Sequence, residues 1–305
     1  MIGVGFLGET SVFALQYTDA DIVEIESLGE AVFPFIETPD AIQSAEFRQA
    51  IVDLFSTLSS HAEKPEQSIG VVVPSEWLHM YTLPVESNLQ TAEIDEFARW
   101  SFQQRMGSHA EQFEPRFYTL SADENQKTIL TVAFPNQLLE IFSTAANEAE
   151  LNLSFISIDV FAGWGAVPFS EEPQYLCKFT PEHVVISQSY QDELIGTALF
   201  QWNQPDEFSF LRGTIRSEIA EEWSELLSQM VDETSPETSL PVWIYGNAIP
   251  ENLQEQIETQ DHWAYVNPFT HFKIRLAEGA PADSKAESRY AEVGGLIRQM
   301  IQDVT

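Results

Sequence analysis

Short apolar runs punctuated by turn residues alternate along this chain with stretches whose apolar positions recur every third or fourth residue. Residues 2–7, 11–17 and 21–35 predict three strands, the first two joined by a turn through Gly8, Glu9 and Thr10. A helix is predicted from Pro39 and Asp40 onward, because Ile42, Phe47, Ile51, Leu54, Phe55 and Leu58 share one face. The run 69–73 predicts a strand stopped by Pro74, and 77–83 a second stretch stopped by Pro84. Thr91 opens a helix that carries Ile94, Phe97, Ala98 and Phe102. Strands at 113–120 and 128–134, a helix from Pro135 and a strand at 151–158 follow, with Asp159 placed to cap a short helix.

Near residue 170 the order begins again. Strands are predicted at 175–179, 183–189 and 194–202, then a helix capped by Thr214, a strand at 241–245, a helix at 251–258 and a strand at 263–266. Residues 278–288 predict a mobile loop, and a helix from about 285 to 303 closes the chain. Each half runs three strands, helix, strand, and the first half carries an extra segment after its fourth strand. The expectation is an α/β chain of two similar lobes: 1–66 as the first lobe, 67–155 as an inserted α/β subdomain, 156–267 as the second lobe, and 268–305 returning to the first.

Charge narrows the partners. The 305 residues hold 14 Lys plus Arg against 48 Asp plus Glu, a net charge of −34. Nucleic acid is excluded as a partner class, since phosphate binding needs clustered cations, and docking on anionic lipid is disfavoured for the same reason. A solvated acidic surface accounts for most of the imbalance, and a salt-rich cytoplasm, where such charges are screened, would suit it. The single cysteine, Cys177, precludes an intrachain disulfide and sits in an apolar run as a small buried residue. No window approaches about 18 uncharged apolar residues, and the start has no basic segment leading into an apolar core, so a cytoplasmic setting is expected.

Catalytic chemistry is not announced. The six histidines are scattered, with no HExxH, GxSxG or GxxxxGK[ST] pattern, so neither a metal site nor catalytic residues are expected. Acidic pairs such as Glu221-Glu222 are solvated faces. Gly5 and Gly8 suit a tight turn, and Gly294-Gly295 implies close packing of the last helix on the first lobe. Trp77, Met80 and Tyr81, with Phe97 and Trp100 on the next helix, offer more aromatic surface than a small subdomain needs. Whatever part stays exposed would form a partner groove.

Several stretches in this order resemble the actin, Hsp70 and sugar-kinase superfamily, and within it the PilM-like pilus assembly proteins and, more loosely, the GspL cytoplasmic domain. They are GVGFLGETSVFAL (3–15), VVVPSEWLHMYTLP (71–84), TAEIDEFARWSFQQRM (91–106), the stretch from Thr128 to Asp159, Asn267-Pro268-Phe269 and AEVGGLIR (291–298). The resemblance implies a two-lobed actin-like fold with an inserted α/β subdomain. It also implies a cytoplasmic scaffold of a pilus or type II secretion-type machine, recruited to the inner membrane by the N-terminal tail of a bitopic, PilN-like protein. Trp77, Met80, Tyr81 and Trp100 would then contact that tail.

In the superfamily, ATP and magnesium would sit against the loops that here hold Gly8, Glu9, Thr10 and Gly246. Yet Phe6 stands where the superfamily carries an Asp, and 176–187 offers Lys178, Thr180 and Pro181 without a glycine. An apolar ring holds no hydrated magnesium, so a scaffold without ATP hydrolysis is expected. A divergent ATPase or kinase is the alternative.

Overall fold

The computed structural model describes residues 1–8, 10–19, 22–33, 42–61, 67–122, 126–191, 193–204, 207–231, 240–269, 275–276 and 284–302. A six-stranded sheet forms the first lobe: β1 (Ile2–Leu7), β2 (Thr10–Asp19), β3 (Ile22–Val32), β4 (Ser68–Val73), β8 (Asn152–Ile158) and β15 (Arg275–Leu276), ordered β15-β3-β2-β1-β4-β8. The second lobe repeats the plan with β9 (Gln174–Phe179), β10 (His183–Tyr190), β11 (Glu193–Gln204), β12 (Glu207–Gly213), β13 (Val242–Gly246) and β14 (Trp263–Tyr265), ordered β12-β11-β10-β9-β13-β14. In the first, β1–β3 meander antiparallel and β4, β8 and β15 join in parallel; in the second, β9–β12 meander antiparallel and β13 and β14 join in parallel. The duplication expected from element order is therefore present in topology and strand direction.

One face of the first sheet buries Ile2, Val4 and Phe6 against α1 (Ala45–His61) and α3 (Asn136–Glu148), where Phe55 and Phe142 stack. The second sheet does the same with α5 (Ser217–Val231) and α6 (Glu251–Thr259) around Trp223, Leu227 and Leu253. The inner faces of both sheets close on a crossing pair, α4 (Asp159–Gly165) and α8 (Ala291–Gln302), with α7 (Ser284–Ser288) just before α8.

The insertion departs from its expected bounds. Its own sheet is β5 (His79–Glu86), β7 (Gln126–Pro135) and β6 (Phe113–Ala122), ordered β5-β7-β6, and α2 (Thr91–Met106) covers it through Ile94, Ala98 and Phe102. β4 and the start of β8, placed by the sequence within 67–155, belong to the first lobe's sheet, because β8 pairs in parallel with β4 and β4 with β1. The run starting at Trp77 is a 3-10 turn, Ser75–Trp77, before β5. Pro84 does not end β5, which is an outer strand with one paired flank and so tolerates a residue lacking an N–H.

Elsewhere, Ser284–Ser288, where the expected loop and closing helix overlapped, is helical, and the closing helix is broken before Ala291. The remainder of that loop, 278–283, and the predicted helix start at 39–41 lie outside the described residues.

Candidate functional site

Three loops meet between the lobes. The turn after β1 holds Gly8 at φ 59°, where a side chain's first carbon would come within 3.1 Å of Pro181 Cδ. Pro181 follows β9, so the second lobe's loop lies directly on the first lobe's. The loop after β13 closes the triangle: Asn247 Nδ2 donates to the Leu7 carbonyl (2.8 Å) and its backbone N–H to the Phe179 carbonyl (3.1 Å). Gly246 takes φ 129°, and a Cβ there would stand 2.0 Å from the Phe179 oxygen, so only glycine fits. Gly8 and Gly246 are thus brought together, but against neighbouring loops. Thr10 begins β2 opposite Leu7, and Glu9 lies outside the described residues.

Beneath these loops lies a buried ion cluster that sequence reading missed. Lys178 Nζ is 2.8 Å from Glu292 Oε1 and 3.1 Å from Asp159 Oδ2, and donates to the Phe6 carbonyl at 3.3 Å. All three charged side chains are buried. Ser75 Oγ donates to Asp159 Oδ2 (3.0 Å) and Tyr245 OH to Glu292 Oε1 (3.1 Å). Just outside, Arg212 on β12 donates to the backbone carbonyls of Ser75 and Glu76.

One ammonium from the second lobe therefore ties the first strand of the first lobe to both crossing helices. Burial alone would push Lys178 down, but Glu292, Asp159 and Glu76 outweigh it and its pKa rises. Burial pushes Glu292 up to about 7, with Asp159 and Glu76 adding to it and Lys178 opposing. Two buried carboxylates share one cation, and the desolvation cost falls on Glu292. Asp159, expected as a cap, is the first residue of α4 and serves this cluster, while also accepting from the Val160 N–H. The visible signal was a lysine inside an apolar strand, a position that demands a partner.

The expected aromatic surface divides. Trp77 is 4% exposed, packed among Phe6, Phe33 and Phe47, and Tyr81 is 7% exposed beneath the Arg105 guanidinium. Met80 is half-buried against the same core. Trp77 and Tyr81 are therefore core side chains, while Met80 keeps part of its surface exposed. Phe97 and Trp100 remain outside, 40% and 53% exposed and stacked at 5.8 Å. Cys177 is buried, its thiol pushed up by burial.

A groove opens where β6 of the insertion faces β8 of the first lobe. Its upper hollow, about 280 Å³, is lined by Arg116 and Tyr118 on one side and by Leu153, Ser154, Phe155 and Ile156 on the other. Consecutive strand residues point to opposite faces, so a hollow touching four in a row runs along the strand's edge. β8 and β6 are both outer strands of their sheets. The groove widens to about 530 Å³ over Phe161 and Trp164 of α4 and Arg298 and Gln299 of α8. It ends in a 180 Å³ hollow against the second lobe at Ser189 and Leu194. Among the described residues no cluster of three or more potential ligands could hold a metal ion, and no helix is long and apolar enough to cross a membrane.

No protein-family model matches the chain, and no curated protein does. Solved structures do. A PilM–PilN type IV pilus biogenesis complex is similar with a TM-score of 0.67 at 12% identity, covering 98% of this chain and 97% of that one. The cytoplasmic domain of EpsL, an inner-membrane component of the type II secretion system of Vibrio cholerae, follows at 0.50 and 9%, covering 98% and 94%. A protein of actin-like ATPase fold and unknown function from Bacteroides thetaiotaomicron aligns at 0.47 and 11%, covering 88% and 90%. The fold is the two-lobed actin-like one that the resemblance implied.

Proposed function

We propose that this chain is a cytoplasmic docking platform of a pilus or secretion-type assembly. It would hold the N-terminal tail of a one-span membrane protein in the groove between β6 and β8, without hydrolysing ATP. The observation that carries the reading is this groove, open along two unpaired sheet edges and floored by apolar and aromatic side chains. An extended segment laid there would add backbone hydrogen bonds to an outer strand and sink alternate side chains into the hollows. Arg116 and Arg298 line the floor, while the surrounding protein is strongly acidic. Tails that begin apolar and turn basic toward the membrane fit that arrangement, and the positive-inside rule supplies the basic part.

The interlobe cleft supports the absence of hydrolysis. Its loops rest on each other, and the carboxylates of Asp159 and Glu292 beneath them are already taken by the Lys178 ammonium. The test is a photo-crosslinking amino acid introduced at Tyr118, and separately at Trp100. The proposal predicts capture of a one-span membrane protein, through its first residues, from Tyr118 alone. Capture from Trp100 alone would move the docking surface to α2. Saturable micromolar binding of magnesium-ATP would restore the ATPase or kinase reading.

A further inference from the structure

The helices that carry the buried ion cluster also form the floor of the groove. α4 begins with Asp159 in the cluster and continues with Phe161 and Trp164 in the groove; α8 starts at Ala291, places Glu292 in the cluster and continues to Arg298 and Gln299. Between the two ends they cross in near-contact. A Cβ on Gly295 would lie 1.8 Å from the Ala162 carbonyl, and one on Gly165 would lie 3.0 Å from the Gly295 carbonyl. On the groove side, Gln299 Nε2 donates to the Phe161 carbonyl (3.0 Å), Arg298 Nη1 to the Gly165 carbonyl (3.0 Å) and Ser157 Oγ to Gln299 Oε1 (2.9 Å). A backbone-on-backbone crossing of this kind leaves no soft side chain to absorb a displacement, so a shift at one end is passed on to the other.

We infer that the cluster sets the width of the groove: the charge on Glu292 levers α8 against α4 about their glycine crossing, so docking in the groove is coupled to protonation of the cleft. With Glu292 neutral, Lys178 and Asp159 form a balanced pair. With Glu292 ionised, the pull of Lys178, 2.8 Å away, outweighs the repulsion from Asp159 and draws the cluster ends of the two helices together. Neutralising Glu292 releases the start of α8 and opens the groove. The groups facing Glu292 are Lys178 from β9, Tyr245 from β13 and Asp159 from α4, with Glu76 and then Arg212 beyond. The described side chains of β1, β2 and β4, which also pack on α8, include no titratable group. Glu292 Oε2 has no hydrogen-bond partner, which leaves an oxygen free to take a proton. Its pKa near 7 puts the change within reach of ordinary pH.

The inference rests on the groove being the docking site, but its test needs no tail. Spin labels at Arg116→Cys and Ser154→Cys span the upper hollow, and the only native cysteine is buried. Pulsed electron resonance is recorded at pH 6 and pH 8. The expected result is a distance distribution that gains a wider component at pH 6, with a displacement of about 2 Å, and a Glu292→Gln chain fixed in the pH 6 distribution throughout. Lys178→Met paired with Glu292→Leu, which leaves Asp159 held only by Ser75 Oγ and the Val160 N–H, should also lose the pH response. Distributions identical at both pH values, or a Glu292→Gln chain that still widens, would overturn it. The crosslinking result at Tyr118 decides the docking reading separately.

Discussion

Lys178 is the residue on which the interior depends most. Removing one partner from a buried ion pair leaves the other uncompensated, so Lys178→Met should lower unfolding free energy by about 3–5 kcal/mol in urea titrations. Glu292 contributes with the opposite pH dependence to a paired carboxylate. Its folded pKa of about 7 exceeds the ordinary 4.5, so the folded chain holds an extra proton between those values. Stability from that proton is present below pH 4.5 and is lost as pH rises through 7. Unfolding midpoints measured from pH 5 to 8 should therefore fall more in the native chain than in Glu292→Gln. Trp77 and Trp100 make a second contrast. Trp77→Ala should cost about 3–5 kcal/mol as a core deletion, and Trp100→Ala less than about 1 kcal/mol.

At the scale of elements, the crossing of α4 and α8 is the tightest contact in the molecule's centre. Gly295→Ala would gain about 1 kcal/mol of helix propensity in isolation, yet the added carbon cannot stand 1.8 Å from the Ala162 oxygen. The substitution should be net destabilising in thermal unfolding, with weaker amide protection in both helices. This is also where sequence legibility ran out. The strand and helix periods exposed both sheets, because each element buries one face against a neighbour in its own lobe. The glycine pair at 294–295 signalled close packing of the last helix on the first lobe; α8 does lie on β1, β2 and β4, while the two glycines themselves meet Pro268 and α4. β12 went unread because Phe208, Phe210 and Leu211 sit in an outer strand whose exposure blurs the alternation. Trp77 and Tyr81 were read as surplus aromatics, since a chain pattern cannot tell that α1 and β1 arrive to cover the first of them. The groove could not be read at all, because its two walls, at Arg116 and Tyr118 and at 153–156, are distant in the chain and no pattern along it joins them.

For the molecule as a whole, the net charge of −34 on one body is self-repelling. Adding salt screens that repulsion within a few ångströms, so thermal midpoints should rise from low to molar sodium chloride, and midpoints that stay level would count against a salt-rich setting. The two lobes are held by Lys178 and Arg212, and their loops at Gly8, Pro181 and Gly246 lie against one another, so on the proposed reading magnesium-ATP should leave the midpoint unchanged. Amide exchange by mass spectrometry, on the chain alone and with the tail peptide recovered from crosslinking, tests the central claim most directly. The account predicts protection concentrated in 153–156 of β8 and in β6, with none in the loops at Gly8 and Gly246. Protection of those loops while β8 exchanges freely would contradict it.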